Sequence, residues 1–461
     1  MTVDYQFPKD FWWGSAASAT QTEGSTNGIS GATIWDRWYQ EAPNRFFEGV
    51  GPDQTSDFYH RYKEDIKNMK AIGHNSFRLS ISWARLIPGG KGQVNDDAVR
   101  FYNDVIDELL SQGIEPFVNL FHFDMPIELQ DIGGWENREV IEAYVDYAKV
   151  AFDLFGDRVK TWFTFNEPIV PVEGGYLYDF HYPNVVDGKR AIQVAYNTMI
   201  AHARAVKLYH AEQDGKIGIV LNLTPSYPRS QNKADLKAAQ ICDLFFNRSF
   251  LDPAVKGEYP ADLIELLDEY GQLPETKLDD KDLLKNNIID ILGVNYYQPR
   301  RVKAKDHLPN TEGPFMPDWF FDMYEMPGRK MNVYRGWEIY EKGIYDIMIN
   351  LKENYGNIDS FISENGMGVQ DEERFIKNGR IEDDYRIDFI KEHLKWLYKA
   401  IEEGCSVKGY HLWTFMDNWS WMNAYKNRYG FYSVDLETGE RTAKKSAEWI
   451  TEVSRQNGFN D

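Results

Sequence analysis

Cysteine is almost missing from this chain. Cys242 and Cys405 are the only two in 461 residues and form no CxxC pair, which excludes a disulfide framework and a zinc motif. Histidine is sparse too: nine residues, at 60, 74, 122, 181, 202, 210, 307, 393 and 411, with no i,i+4 pair and no cluster of metal-ligating spacing. No metal and no cofactor are therefore expected. Long apolar runs are absent, none approaching the ~18 residues a membrane helix needs. The opening MTVDYQFPKDFWWGSAASA has no basic stretch leading into an unbroken apolar core, because Pro8, Lys9 and Asp10 interrupt it. Neither secretion nor membrane spanning is expected, and a cytoplasmic location is the default. Positive charge is in deficit: 51 Lys and Arg against 72 Asp and Glu leave a formal charge of −21. Nucleic acid and anionic membranes both require a basic face, so neither is expected as a partner. No GxGxxG occurs, and GGKG at 89–92 follows Pro88 and lacks P-loop spacing, which reads as a surface turn. There is no linker, fixed-period repeat or low-complexity tract, so residues 1–461 read as one domain. Nothing in the chain indicates an oligomeric state.

Aromatic and strand-forming residues are abundant. The chain is 43% hydrophobic and 15% aromatic, with 14 Trp and 28 Tyr. Sugar faces stack on such rings, although large cores use them as well. Apolar strand-like runs fall at 11–19, 76–83, 115–122, 161–166, 216–223, 290–297, 360–365 and 407–415. Amphipathic stretches lie between them at 57–72, 95–112, 136–155, 189–212, 338–355 and 384–403. Strand and helix alternating in this way predict a parallel sheet, and eight units closing on themselves give an α/β fold, the single-domain (β/α)8 TIM barrel. Residues 299–335, rich in Pro, Gly and charge, read as a long loop at the C-terminal face of the barrel.

Polar groups gather at one end of these apolar runs. TWFTFNEP (161–168) ends in Asn166, Glu167 and Pro168; proline cannot donate to a sheet ladder, so the strand stops there. SFISENG (360–366) ends likewise in Glu364 and Asn365. Other strand ends supply Gln21 and Glu23, Arg78, His122 and Asp124, Asn295, Tyr296 and Tyr297, and Trp413. Polar side chains in such places are costly unless they converge on a ligand or on one another. Arg78 reads as a satisfied buried ion pair or as support for a catalytic carboxylate, and the two are compatible. His122 reads equally as a hydrogen-bonded core residue or a ligand contact. Two carboxyls without a metal or nucleotide motif fit glycosidic bond cleavage, in which one Glu donates a proton and the other attacks the anomeric carbon. Arg78 would keep Glu364 ionised, while burial and the Glu364 charge would raise the pKa of Glu167.

Taken together, FPKDFWWGSAASATQTEG, FRLSISWARLIP, FHFDMP, TFNEP, GVNYY, ISENG and HLWTF followed by NRYGFYSVD resemble the glycoside hydrolase family 1 β-glycosidases over nearly the whole chain. That family consists of retaining enzymes on a (β/α)8 barrel. The resemblance implies Glu167 as acid/base, Glu364 as nucleophile, Arg78 beneath it and Tyr297 hydrogen-bonded to it. It further implies Asn166 at the sugar 2-hydroxyl, Gln21 and His122 at the 3- and 4-hydroxyls, Trp413 under the ring, and Asn295 and Trp337 among the substrate contacts.

One departure bears on substrate. Members acting on plain glucosides carry a Glu in DNxEW, whereas this chain reads DNWSW with Ser420 in that place. The 6-phospho-β-glycosidase branch is similar in having Ser there, followed by a Lys and a Tyr. A carboxylate would repel a phosphate that hydroxyls and an ammonium stabilise. Ser420 and Tyr429 fit that spacing; the lysine does not, since Asn427 stands in its place with Lys426 one residue earlier. Either Lys426 reaches the phosphate or Asn427 makes a neutral contact. The expected substrate is a phosphorylated disaccharide or aryl glycoside, with 6-phospho-β-glucosides such as cellobiose 6-phosphate preferred and 6-phosphogalactosides possible, since Trp421 resembles galactoside-acting members. The alternatives are a β-glucosidase or β-galactosidase on unphosphorylated sugars, and a non-catalytic sugar-binding barrel.

Overall fold

The eight apolar runs form eight parallel strands that close into a barrel in the computed structural model, which describes residues 3–461. The strands are β1 (Trp12–Ala16), β2 (Ser76–Ser80), β3 (Glu115–Phe121), β4 (Thr161–Asn166), β5 (Lys216–Asn222), β6 (Ile291–Asn295), β7 (Ser360–Asn365) and β8 (Val407–Trp413). Each pairs with its sequence neighbours, and β8 closes on β1 from Gly409 opposite Trp12 to Trp413 opposite Ala16. An eight-stranded barrel is just wide enough for side chains to fill it. Here Trp12, Phe117, Phe163, Val220, Ile291 and Phe361 form that interior layer. His411 stacks on Phe117, its ring centroid 5.6 Å away, and bonds Ser76 Oγ through Nε2 at 2.8 Å. A Cβ on Gly14 would lie 2.2 Å from the Ser76 carbonyl oxygen, so only glycine fits where β1 crosses this pair.

The helices α1 (Phe58–Ala71), α2 (Asp96–Ser111), α3 (Arg138–Phe155), α4 (Gly188–Glu212), α5 (Lys233–Asp243), α6 (Lys342–Asn354), α7 (Asp384–Glu402) and α8 (Lys445–Gln456) follow the strands in order. Five of them fall within two residues of amphipathic stretches read from sequence, and α6 matches a sixth except at its start, which lies at Lys342 rather than 338. In α3, Val140, Tyr144, Tyr147, Ala151 and Phe155 lie on one buried stripe at i,i+3 and i,i+4 spacing, and the Asn137 side chain caps the first turn. That stripe also steadies the catalytic face. The Tyr144 hydroxyl donates to the Thr164 carbonyl at 2.6 Å, and that of Tyr147 to Leu120 at 2.7 Å.

The 299–335 segment is more ordered than the sequence suggests. Arg300–Lys303 pairs with Ser226–Pro228 and with Asp322–Met323 in a small sheet, and Met331–Asn332 forms a hairpin with Trp337–Glu338. Ion pairs rather than an apolar period hold it: Arg301 grips Glu338 at 2.6 Å, Arg300 meets Glu173 at 2.8 Å, and Lys305 meets Asp322 at 2.6 Å. Hydrophobic periodicity carries no trace of such pairings.

The chain after β8 is pinned by a buried charge network. Lys444, 1% exposed, bonds Glu372 at 2.5 Å and Asp417 at 2.8 Å, and Arg386 binds Glu372 from the other side. Asp417 in turn accepts the Gly430 amide at 2.9 Å, which ties together the two ends of the loop 417–430. Burial pushes the Glu372 carboxyl up, but the charges of Lys444 and Arg386 override it and hold the pKa near about 2. Lys444→Ala leaves two buried carboxylates without their shared cation, and we expect a loss of about 3–5 kcal/mol in denaturant unfolding. A loss below ~1 kcal/mol would show that the network does not hold the loop.

Candidate active site

Glu167 leaves β4 in the left-handed region, with φ of 44°. Its amide still donates to the Val220 carbonyl at 2.8 Å, while its own carbonyl accepts from Val170 at the start of a short helix, Ile169–Val172. A non-glycine residue in that conformation is strained, and such strain gathers where a side chain must be aimed. The carboxyl is buried and accepts from Asn295 Nδ2 at 2.9 Å. Burial, then the charge of Glu364, pushes its pKa up to about 8, against the opposing pull of the Asn295 bond and of Arg78.

Glu364, next to last in β7, sits in the opposite environment. Arg78 Nη2 donates to Oε1, and the Tyr297 hydroxyl donates to Oε2 at 2.5 Å. Burial and the neighbouring carboxylate raise the Tyr297 pKa well above its usual value, so its proton stays on the oxygen and is donated. The strand end is fixed from behind, where Asn365 Nδ2 donates to the Tyr296 carbonyl at 2.7 Å and the Tyr410 hydroxyl donates to Asn365 Oδ1 at 2.7 Å. One glutamate thus faces two donors, one of them a cation, and the other is dry and carries a raised pKa. A buried carboxyl of raised pKa suits the acid, and one held by a cation and a phenol suits the nucleophile.

Arg78, fully buried, joins the two halves. Its Nη1 donates to Asn166 Oδ1 at 2.7 Å and to Ser363 Oγ at 3.0 Å, and Asn295 Nδ2 reaches the same Asn166 oxygen at 3.1 Å. Asn166 Nδ2 donates to His122 Nε2 at 3.2 Å, which leaves the imidazole proton on Nδ1. Burial and the Arg78 charge hold the His122 pKa well below the usual range, so this ring is neutral.

Above the glutamates lies a cavity of about 240 Å³. Of the residues named from sequence, Gln21, His122, Glu167, Tyr297, Trp337, Glu364, Trp413, Ser420, Trp421 and Tyr429 line it. Gln21 is held at both ends of its amide, by Ser18 Oγ and by the Trp419 carbonyl, each at 2.8 Å. Trp413 and Trp421 both stack near His122, with centroids 5.8 and 6.0 Å away, and Trp421 also lies on Trp35 at 4.4 Å. Arg78, Asn166 and Asn295 stand behind the glutamates.

Lys426 is not brought to the cavity. Its ammonium lies 5.7 Å from the Phe47 ring centroid, on the far side of a turn in which Ser420 and Ala424 are hydrogen-bonded. Glu23 and Asp124 are likewise absorbed by structure. Glu23 pairs with Arg85 at 2.8 Å, and Asp124 accepts the backbone amides of His122 and Trp83. Sequence reasoning missed Asn222, at the end of β5, whose amide faces the Glu167 carboxyl. Its signal, a polar residue closing an apolar strand, was there to be read. It also missed Arg335, which no local pattern marks.

The family model for glycosyl hydrolase family 1 matches residues 3–459, and the chain belongs to that family. Among its curated relatives, the chain is 67% identical over 462 residues to the 6-phospho-beta-glucosidase GmuD of Bacillus subtilis (strain 168), covering 99% of both proteins. It is 40% identical to a 6-phospho-beta-galactosidase of Clostridium acetobutylicum, over 97% of each. The family 1 β-glucosidase structure from Thermotoga maritima superposes over the full length of both chains with a TM-score of 0.92 at 38% identity.

Proposed function

We propose that this glycoside hydrolase cleaves 6-phospho-β-glucosides with retention of configuration, through two displacements. Glu364 attacks the anomeric carbon while Glu167 protonates the departing oxygen; a water then enters, deprotonated by Glu167, and releases the sugar from Glu364. Arg78 and Tyr297 hold the attacking carboxylate in place, and Asn166 faces the 2-hydroxyl. Gln21 and neutral His122 meet the 3- and 4-hydroxyls over Trp413, and Trp337 lines the same cavity.

The observation that carries the substrate class is Ser420. The Ser420 hydroxyl lines the cavity at the position where the resemblance implies a carboxylate in members acting on plain glucosides, with the Tyr429 ring in the same wall. The named activities of two relatives, on 6-phospho-β-glucosides and 6-phospho-β-galactosides, point the same way. A substrate phosphorylated during uptake would meet its hydrolase in the cytoplasm.

A 2-deoxy-2-fluoro-glucosyl fluoride bearing a 6-phosphate tests the reading. We expect it to add one glycosyl unit to the intact mass, with the label mapping to the peptide containing Glu364. Faster labelling by the unphosphorylated probe would overturn the substrate class, and a label elsewhere would overturn the nucleophile.

A further inference from the structure

Arg335 is the only lysine or arginine among the described residues lining the cavity. The cavity otherwise holds two glutamates and two histidines, and burial keeps both His122 and His181 below their ordinary pKa and uncharged. A sugar phosphate therefore finds one cation there, in a protein of net charge −21.

Arg335 also lacks a carboxylate partner among the described residues. Neighbouring cations of the same segment are paired, Arg329 with Glu325 at 3.0 Å, Lys330 with Glu341 at 2.7 Å, and Arg301 with Glu338. Arg335 forms no salt bridge among the described residues, and its buried Nε has no hydrogen-bond partner. Its guanidinium lies over the Trp337 ring, 4.1 Å from the centroid, and faces Tyr429, whose hydroxyl feels its charge. A partly buried, unpaired guanidinium beside a phenol is a site waiting for an anion.

The hairpin that carries it is held by the residue standing where the phospho-branch lysine would be. Asn427 Nδ2 donates to the Tyr334 carbonyl at 3.4 Å, one residue before Arg335, and Asn332 Nδ2 ties the same hairpin to the Gly368 carbonyl at 3.1 Å. The positive charge missing at 427 is thus present at 335, and Asn427 clasps the loop that supplies it.

We propose that Arg335 binds the 6-phosphate together with Ser420 and Tyr429, with Asn427 positioning its hairpin. This rests on the phosphorylated-substrate reading above. The test is steady-state kinetics on p-nitrophenyl β-glucoside with and without a 6-phosphate, for the wild type, Arg335→Gln, Lys426→Gln and Arg335→Gln/Asn427→Lys. We expect Arg335→Gln to raise KM for the phosphorylated substrate on the order of 10- to 100-fold, the worth of a charge-assisted contact. The neutral substrate should lose at least ~10-fold less, and the restored lysine of the double variant should recover part of the loss. Equal losses on both substrates would reduce Arg335 to a structural role and overturn the proposal. So would a loss that appears in Lys426→Gln instead. A wild type without preference for the phosphate sinks the substrate reading itself. A preference that survives in Arg335→Gln sinks only the assignment of Arg335.

Discussion

Glu364→Ala abolishes turnover, with kcat falling on the order of 10⁴-fold or more, because no other side chain lies where the anomeric carbon must be attacked. The fold should survive the change. Arg78 keeps its bonds to Asn166 and Ser363, and Tyr297 loses only an acceptor facing the cavity. Azide, small enough for the space vacated by the carboxylate, should restore turnover and yield a glycosyl azide of the opposite anomeric configuration. A variant that keeps normal rates, or an azide product of unchanged configuration, would remove Glu364 from the nucleophile's role.

Glu167→Gln has the next largest effect, and leaving groups read it. Protonation by a positioned acid contributes ~10²–10⁴-fold where the departing oxygen is basic, and little where it is already a good leaving group. Alkyl 6-phosphoglucosides and cellobiose 6-phosphate should therefore lose far more than dinitrophenyl ones. The pH profile gives a second readout. The acid must carry its proton, and burial with the Glu364 charge places its pKa near about 8. In the wild type kcat/KM should hold through neutrality and fall as pH rises through that value. In Glu167→Gln the alkaline limb should vanish. Equal losses on both leaving groups, with the limb intact, would place the acid elsewhere.

Both glutamates could be found in sequence because a parallel barrel brings every strand end to one face. Glu167 and Glu364 stand far apart in the chain, yet each follows a β-rich run at the same height. The strands were legible for the same reason, since runs such as SFRLS and TWFTFN are buried along their whole length. The raised pKa of Glu167 followed from burial and a like charge, both implied by that placement. What stayed hidden is non-local. Arg335 meets Tyr429 only because a hairpin held by ion pairs and by Asn427 folds over the barrel face, and no period or spacing encodes that approach. Lys426 was the natural candidate by proximity to Tyr429 in sequence. The turn from Ser420 to Ala424 sends it to Phe47 instead.

The central claim is a preference for a phosphorylated sugar, and the most direct measurement is kcat/KM of the wild type on p-nitrophenyl β-glucoside with and without a 6-phosphate, beside the galacto pair. With one unpaired guanidinium and two hydroxyls on the phosphate, we expect the 6-phosphoglucoside to lead its neutral counterpart by ~100-fold or more. Equal or faster cleavage of the neutral glucoside would contradict the account and leave Ser420 and Arg335 without a phosphate to bind.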